Sequence, residues 1–285
     1  MIPTVINKQI EQKLSDRFGS NVIIIKTSLI TGGCINNAAK LKTNRGIFFV
    51  KWNTNTQPKM FEAENSGLNL LKNTQTMSIP LVFAFDNNFL VLEYIPNYIP
   101  NTIFWKNFGV NLAKMHRYSN SKFGLSINNY IGSLTQQNTQ HTNWSTFFIE
   151  ERLKKQLSLR NFSIKILLDF DKLFKKIPSL FPKEKPSLIH GDLWEGNFLV
   201  KDNDIPVLID PAVYYGHREM DIAMSKLFGG FNNNFYDSYN EYYPLENGWQ
   251  ERIKICNLYP LLVHVNLFGG GYINQVKNIL DRFVG

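Results

Sequence analysis

The sequence predicts an α+β protein of two lobes, an antiparallel-sheet N-terminal lobe and a mainly helical C-terminal lobe, and three observations predict it. Before Pro96, β-branched and aromatic residues cluster in short runs between turn signals. Pro96 and Pro100 mark a connector that neither a helix nor a central strand would carry. Beyond it, most of the chain spaces its apolar residues at the helical period. The division falls at residues 1–95, a nucleotide-binding lobe, and 96–285, a catalytic and substrate lobe. A chain of 285 residues suits two lobes better than one ordinary core.

Val22 to Ile30 and Gly46 to Trp52 read as strands, with turn signals such as Asn44-Arg45-Gly46 and the run Thr31-Gly32-Gly33-Cys34-Ile35-Asn36 between them. A helix follows from about Pro58 to Lys72. Leu81 to Phe85 and Phe89 to Glu93 then form strands around an Asp86-Asn87-Asn88 turn. Past the connector, helical spacing covers Phe104 to His116, Trp144 to Leu157, Phe162 to Lys176 and Trp249 to Phe268. A β-rich insert from Leu188 to Tyr215, containing one hairpin, interrupts the helices.

Composition excludes several classes. Hydrophobic residues at 44% and charged residues at 19% argue against disorder. The longest apolar stretch, Tyr259 to Phe268, contains His264 and Asn266 and is shorter than the roughly 20 residues a bilayer requires, so no membrane partner is expected. Met1 to Ile10 lacks the pattern of a secretory signal. With only Cys34 and Cys256 there is no disulfide framework, which favours a reducing, cytoplasmic setting. A net charge of +8 would suit a polyanion, but the lysines are dispersed in pairs such as Lys154-Lys155 and Lys175-Lys176. No nucleic-acid partner is expected, and a nucleotide triphosphate accounts for the basic balance equally well.

The chemistry concentrates in His190-Gly191-Asp192-Leu193-Trp194-Glu195-Gly196-Asn197 and in Ile209-Asp210-Pro211. Asp192-x-x-x-x-Asn197 has the catalytic-loop spacing of protein kinases. The hairpin from Phe198 to Ile209 brings Asn197 and Asp210 side by side at its open end. Phosphoryl transfer asks a protein for positioning and charge neutralisation more than for covalent chemistry. A carboxylate and an amide oxygen suit Mg2+, so Asn197 and Asp210 are the metal candidates. Asp192 is the catalytic candidate, accepting the proton of the attacking hydroxyl, with no need of a raised pKa if that proton leaves late.

The N-terminal lobe supplies a strand lysine, Lys51, which would grip the α- and β-phosphates of ATP and requires a carboxylate to hold it. Glu64 shares the apolar stripe of its helix with Phe61, Leu68 and Leu71, whereas Glu62 faces the other way, so Glu64 is the expected partner. Gly32 and Gly33 either bring backbone N–H groups near the phosphates or form a plain hairpin turn. Cys34 beside them is either a redox-sensitive thiol or a small packing residue. Glu93, Tyr94 and Ile95 form the candidate hinge, with the Glu93 carbonyl and the Ile95 N–H facing the adenine edge. Asp221 either anchors the catalytic loop or caps a helix, and His190 is a structural hydrogen-bonding residue with no zinc-type partner nearby.

With these residues in place, the chain resembles the fructosamine kinase family, whose protein-kinase-like fold is similar to that of aminoglycoside and choline phosphotransferases. The resemblance runs through His190–Asn197, Ile209–Met224, Leu227–Phe231, Asn129-Tyr130-Ile131-Gly132 and Phe268–Tyr272, as well as Gly32–Ile35, Phe49–Lys51 and Met60–Glu64. It implies an ATP- and magnesium-dependent phosphotransferase acting on the 3-hydroxyl of a ketoamine, whose product then sheds the sugar in a deglycation. Kinases of aminoglycosides or choline, and a non-catalytic nucleotide-binding regulator, are the alternatives. Glu195 stands where the family commonly has serine, and Asn36-Asn37 departs from its usual residues, which touches acceptor preference more than reaction type. Trp194, Tyr215 and His217 are the candidates for contact with the acceptor. Trp194 would offer a ring face to a sugar or else plug the core, and His217, Arg218 and Glu219 are expected near the acceptor.

Overall fold

The computed structural model describes residues 1–30 and 35–285. The chain opens with a helix, α1 (Thr4–Phe18), before any strand. It buries Ile6, Ile10 and Leu14, one residue per turn on a single face, and so qualifies as amphipathic although no side chain caps its start. Two of its polar side chains fix the start of the sheet, because Ser15 Oγ accepts the Val22 N–H at 2.8 Å and Glu11 Oε1 accepts the Ile24 N–H at 2.7 Å.

Five described strands follow in an antiparallel sheet of order β1-β2-β3-β5-β4: β1 (Ile24–Ile30), β2 (Asn37–Thr43), β3 (Gly46–Trp52), β4 (Val82–Asp86) and β5 (Phe89–Glu93). Helix α2 (Met60–Lys72) crosses between β3 and β4. Strand β2 is an addition to the sequence expectation. Its alternation carries Ala39 and Leu41 into the core, with lysines between. Lys51 sits opposite Leu90 in the β3–β5 ladder, near the end of β3.

The connector after β5 is stitched to the second lobe, since the Tyr98 N–H donates to the Val200 carbonyl at 2.9 Å and Asn97 Oδ1 accepts the Val200 N–H at 2.8 Å. Helix α3 (Thr102–Met115) is capped by Asn101, which accepts the Phe104 N–H at 2.9 Å. A short hairpin, β6 (Asn129–Ile131) and β7 (Leu134–Gln136), precedes α4 (Trp144–Phe147), a π-helical turn over Phe148–Leu153, and α5 (Lys154–Leu157). Helix α6 (Ile164–Leu180) leads to β8 (Ser187–Ile189), β9 (Phe198–Lys201), β10 (Ile205–Leu208) and β11 (Tyr214–Gly216). The chain ends in α7 (Glu219–Leu227), α8 (Asn233–Tyr242), α9 (Trp249–Cys256), α10 (Leu258–Phe268) and α11 (Tyr272–Val284). Helices α8 and α11 extend the expected set. Instead of one hairpin, this lobe carries three described strand pairs: β9 with β10, β8 with β11, and β6 with β7.

Three apolar cores divide the work. One lies between α1 and the sheet, around Ile10, Leu41 and Val50. A second joins α2 and α3 to the catalytic segment through Phe61, Phe104, Leu193 and Phe198. The third fills the helical lobe around Phe147, Phe170 and Leu262. The middle core spans both lobes, so the loops that carry the chemistry rest on packed material from either side. Ile10 is fully buried in the first core. Ile10→Ala should lower unfolding free energy by about 2–5 kcal/mol in chemical denaturation, from lost burial and the cavity left behind.

Candidate active site

The site begins with a fully buried carboxylate. Asp221, in the first turn of α7, accepts the backbone N–H groups of His190 at 2.7 Å and Gly191 at 2.9 Å, and its Oδ2 lies 3.2 Å from His116 Nε2. Its side chain therefore anchors the loop rather than capping its own helix. A buried carboxylate is tolerable only when several donors surround it, and this one holds three. Gly191 is required beside it. Its φ is +82°, and a Cβ there would lie 2.1 Å from the Ala212 carbonyl oxygen.

His190 joins the two halves of the constellation. Its Nε2 lies 2.9 Å from the Ile209 carbonyl, which can only accept, and its Nδ1 lies 3.3 Å from the Asp192 N–H, which can only donate. The ring is thus a neutral imidazole of fixed tautomer, and burial holds its pKa below the usual histidine value. This is the structural role the sequence predicts for it.

Asn197 is buried and donates through Nδ2 to the Asp192 carbonyl at 2.8 Å and to Asp192 Oδ2 at 3.0 Å. With its nitrogen so engaged, the amide turns its oxygen elsewhere. The Ile209 N–H donates to the Asn197 carbonyl at 3.1 Å, which sets Asn197 against Ile209 and Asp210 at the mouth of the β9–β10 hairpin. Asp210 has a φ of +55°, a left-handed conformation that aspartate tolerates better than most residues and that turns its side chain toward the other lobe. There it meets Lys51. The Lys51 ammonium is bonded to Asp210 Oδ1 and lies 2.8 Å from Glu64 Oε1, so β3, α2 and the loop after β10 converge on one charge. Glu62, exposed on the opposite face of α2, reaches only toward Lys59 at 3.9 Å.

Lys51 with Glu64 and Asp210, and the Asp192–Asn197 pair beside them, supply the residue types that phosphoryl transfer requires. A sequence profile described as fructosamine kinase matches residues 6–285. The chain belongs to the fructosamine kinase family. A Synechocystis relative described as a ketoamine kinase is 38% identical over 280 residues, covering 96% of this chain and 95% of that protein. A chloroplastic protein-ribulosamine 3-kinase of Arabidopsis thaliana is 35% identical over 278 residues, covering 93% of this chain and 85% of its own length. A crystal structure described as a fructosamine-3-kinase from Haemophilus somnus superposes with a TM-score of 0.88 at 30% identity, over 98% of this chain and all of that one. An ADP-bound aminoglycoside phosphotransferase shares the fold at a TM-score of 0.63 and 14% identity, over 95% and 96% of the two chains.

The other residues singled out in the sequence are placed as follows. Trp194 is 37% exposed, its indole lying over Gly196 and 6.4 Å from the Phe228 ring, so it stands at the rim of the catalytic loop and does not plug a core. Tyr215 is half-buried, pairs with Leu188 across β8–β11, and packs against the middle core. Glu93 ends β5, and Tyr94 and Ile95 follow it. The Glu93 N–H donates to the Leu81 carbonyl at 2.8 Å, Lys40 sits 4.2 Å from the Tyr94 ring centroid, and Ile95 is buried. Gly32, Gly33 and Cys34 lie outside the described residues. Among the described residues, Cys256 is a buried thiol whose pKa burial raises well above the usual value, which makes it unreactive.

His217 is where the structure departs from expectation. It is fully buried, packed between Trp144 and Phe181 at ring distances of 5.7 and 5.2 Å, and burial pulls its pKa down to about 4. Arg218 and Glu219 are likewise interior, paired with Glu184 at 2.8 Å and with Arg252 at 2.6 Å. All three brace the lobe behind the loop, and none faces an acceptor. What the sequence left unremarked is His116, at the end of α3, which completes the shell of Asp221 and is itself 2.8 Å from the Tyr239 hydroxyl.

Asp192 also differs from expectation. Burial, together with the nearby charges of Asp210 and Asp221, pushes its pKa up to about 7 against the opposing hydrogen bond from Asn197. The unfolded carboxyl would titrate near 4, so between about pH 4 and 7 the folded protein holds a proton that the unfolded chain has released. Stability from this group is present at low pH and is lost as pH rises through 7. Asp192→Asn, which cannot ionise, should therefore raise the melting temperature by roughly 2–4 °C or more at pH 8 and much less at pH 5, as read by calorimetry.

Proposed function

We propose that the protein is an ATP-dependent ketoamine 3-kinase that phosphorylates the 3-hydroxyl of a fructosamine or ribulosamine adduct, a deglycation reaction. The observation that carries this reading is the bonding of Lys51 to both Glu64 and Asp210, with the Asp192–Asn197 pair tied to Ile209 beside Asp210, in a chain of the fructosamine kinase family. In this reading residues 1–95 hold the nucleotide, with the adenine against the backbone at Glu93–Ile95. Residues 96–285 hold the acceptor.

The donor set fits a magnesium ion. Among the described residues no group of three or more carboxylate, imidazole or thiol ligands gathers, so the protein offers only part of a coordination shell. The Asp210 carboxylate and the Asn197 amide oxygen are hard ligands, and magnesium ordinarily completes its octahedron with phosphate oxygens and water. Once bound, the ion would neutralise charge on the β- and γ-phosphates.

The chain's own residues account for the rest. Burial would strip the Lys51 proton, but Asp210 and Glu64 outweigh it and hold the ammonium charged above its ordinary range. Asp210 would exchange part of that contact for the metal when nucleotide arrives, leaving Lys51 to the α- and β-phosphates. Asp192 accepts the proton of the 3-hydroxyl as its oxygen attacks the γ-phosphorus. The new O–P bond forms as the bond to the β–γ bridging oxygen breaks, and ADP departs. Trp194, exposed two residues beyond the base, offers an apolar face to the sugar ring. Glu195, whose carboxyl would lie 2.4 Å from a Cβ built at Gly230, gives the rim a negative group suited to the amine of a ketoamine.

Purified protein should transfer phosphate from ATP to fructosyl- or ribulosyl-lysine and not to kanamycin or choline, as followed by ADP release. Asp192→Ala should reduce turnover by about a hundredfold or more while retaining nucleotide binding, and near-normal turnover would remove Asp192 as the base. Because the base must be ionised, wild-type kcat/KM should climb about tenfold per pH unit below 7 and level off above it. Trp194→Ala should raise KM for the ketoamine several-fold and leave KM for ATP within about twofold of wild type.

A further inference from the structure

The β6–β7 hairpin contacts both sides of the Lys51 cluster. On its inner face, Asn129 Nδ2 donates to the Val213 carbonyl at 2.8 Å, and Gln136 Nε2 donates to the Ala212 carbonyl at 2.9 Å. These carbonyls lie two and three residues past Asp210, in the segment whose Ala212 N–H donates to the His190 carbonyl at 2.9 Å. The two amides are a cross-strand pair and are bonded to each other at 2.8 Å. The Tyr259 hydroxyl donates to Gln136 Oε1 at 2.8 Å, and Asn138 Nδ2 to Asn129 Oδ1 at 2.9 Å. Asn129, Gln136 and Asn138 are all buried, so every one of these bonds is made out of water, where a lost partner is expensive.

Tyr130 lies between Asn129 and Ile131 and, by strand alternation, points the opposite way. Its hydroxyl donates at 2.7 Å to the carbonyl of Pro58, two residues ahead of α2 and six ahead of Glu64. At the tip of the hairpin, a Cβ at Gly132 would lie 3.6 Å from Ile35 Cδ1, in the approach to β2. Two consecutive residues thus hold the segment after Asp210 with one side chain and the approach to the Glu64 helix with the next. Such bonds exceed what a surface hairpin requires for its own stability.

We infer that this hairpin is a strut that fixes the separation of Glu64 from Asp210, with Tyr130 and Gln136 as positioning residues for the nucleotide and metal site. The inference rests on the phosphotransferase reading of that site. Lys51 can serve the phosphates only if its two carboxylates keep their spacing. Helix α2 already packs on the segment after Asp210, where a Cβ at Gly67 would lie 3.2 Å from Val213 and 3.5 Å from Pro211. The hairpin adds directional hydrogen bonds to that apolar contact at a point close to the charges.

Tyr130→Phe deletes one hydroxyl at the protein surface and should leave the melting temperature within about 1 °C of wild type. Affinity for a fluorescent ATP analogue with magnesium should fall about threefold to tenfold, with the same rise in KM for ATP and an unchanged KM for the ketoamine. Gln136→Met, which retains volume, should raise the magnesium concentration needed for half-maximal nucleotide binding, and the double variant should lose less than the sum of the two. Unchanged nucleotide affinity in Tyr130→Phe, equal increases in both KM values, or strictly additive losses would each overturn the strut. Wild-type protein that binds the analogue yet phosphorylates no ketoamine would remove the acceptor assignment and leave the strut testable by binding. Wild-type protein that binds no nucleotide would remove both.

Discussion

A single ammonium group, placed where water cannot reach it, sets the terms for this molecule. Lys51 is 6% exposed, and an isolated lysine at that depth would lose its proton. It stays charged because Glu64 comes to it from α2 and Asp210 from the loop after β10. Both carboxylates contribute, since together they outweigh the cost of burying the ammonium. The sheet, the helix laid across it and the catalytic segment of the other lobe are consequently bound to one another by electrostatics at the spot where a triphosphate would enter. The middle core makes the same connection with apolar contacts, through Phe61 and Leu68 on one side and Leu193 and Phe198 on the other.

The loop before Asp192 is built on the opposite principle, a buried carboxylate held chiefly by backbone N–H groups. Asp221 accepts the His190 and Gly191 N–H groups and lies against His116, and its charge adds to the negative field at Asp192. That negative field is one reason the Asp192 carboxyl is reluctant to ionise. Loop rigidity and base strength are therefore linked. The anchor that holds the loop still adds, after burial and Asp210, to what raises the pKa of the Asp192 carboxyl.

Much of this was legible in the sequence, for reasons particular residues make clear. Asp192, Asn197 and Asp210 are close in sequence and joined by a hairpin, so their spacing alone predicts their meeting. Glu64 was separable from Glu62 because a helix sorts residues by face, and the structure places them on those faces. His217, Arg218 and Glu219 were misjudged because their pairing is long-range. Glu184 lies 34 residues from Arg218 and Arg252 lies 33 from Glu219, and a run of three polar residues reads as surface unless such partners are known. Helix α1 escaped notice for a weaker reason, as its one apolar residue per turn is diluted by polar neighbours and no side chain marks its start. The β6–β7 strands are three residues each, too short for alternation to register.

The exposed rim at Trp194 and Glu195 follows a different logic from the Lys51 cluster. Every group around Lys51 is braced by at least one other lobe element, so change there is costly. Trp194 and Glu195, by contrast, are exposed and rest on small residues, the indole over Gly196 and the carboxylate beside Gly230. Substitution at such positions disturbs little of the core beneath. Under the proposed function, acceptor preference is therefore set at the rim, where the structure is least constrained, immediately downstream of the loop that Asp221 anchors.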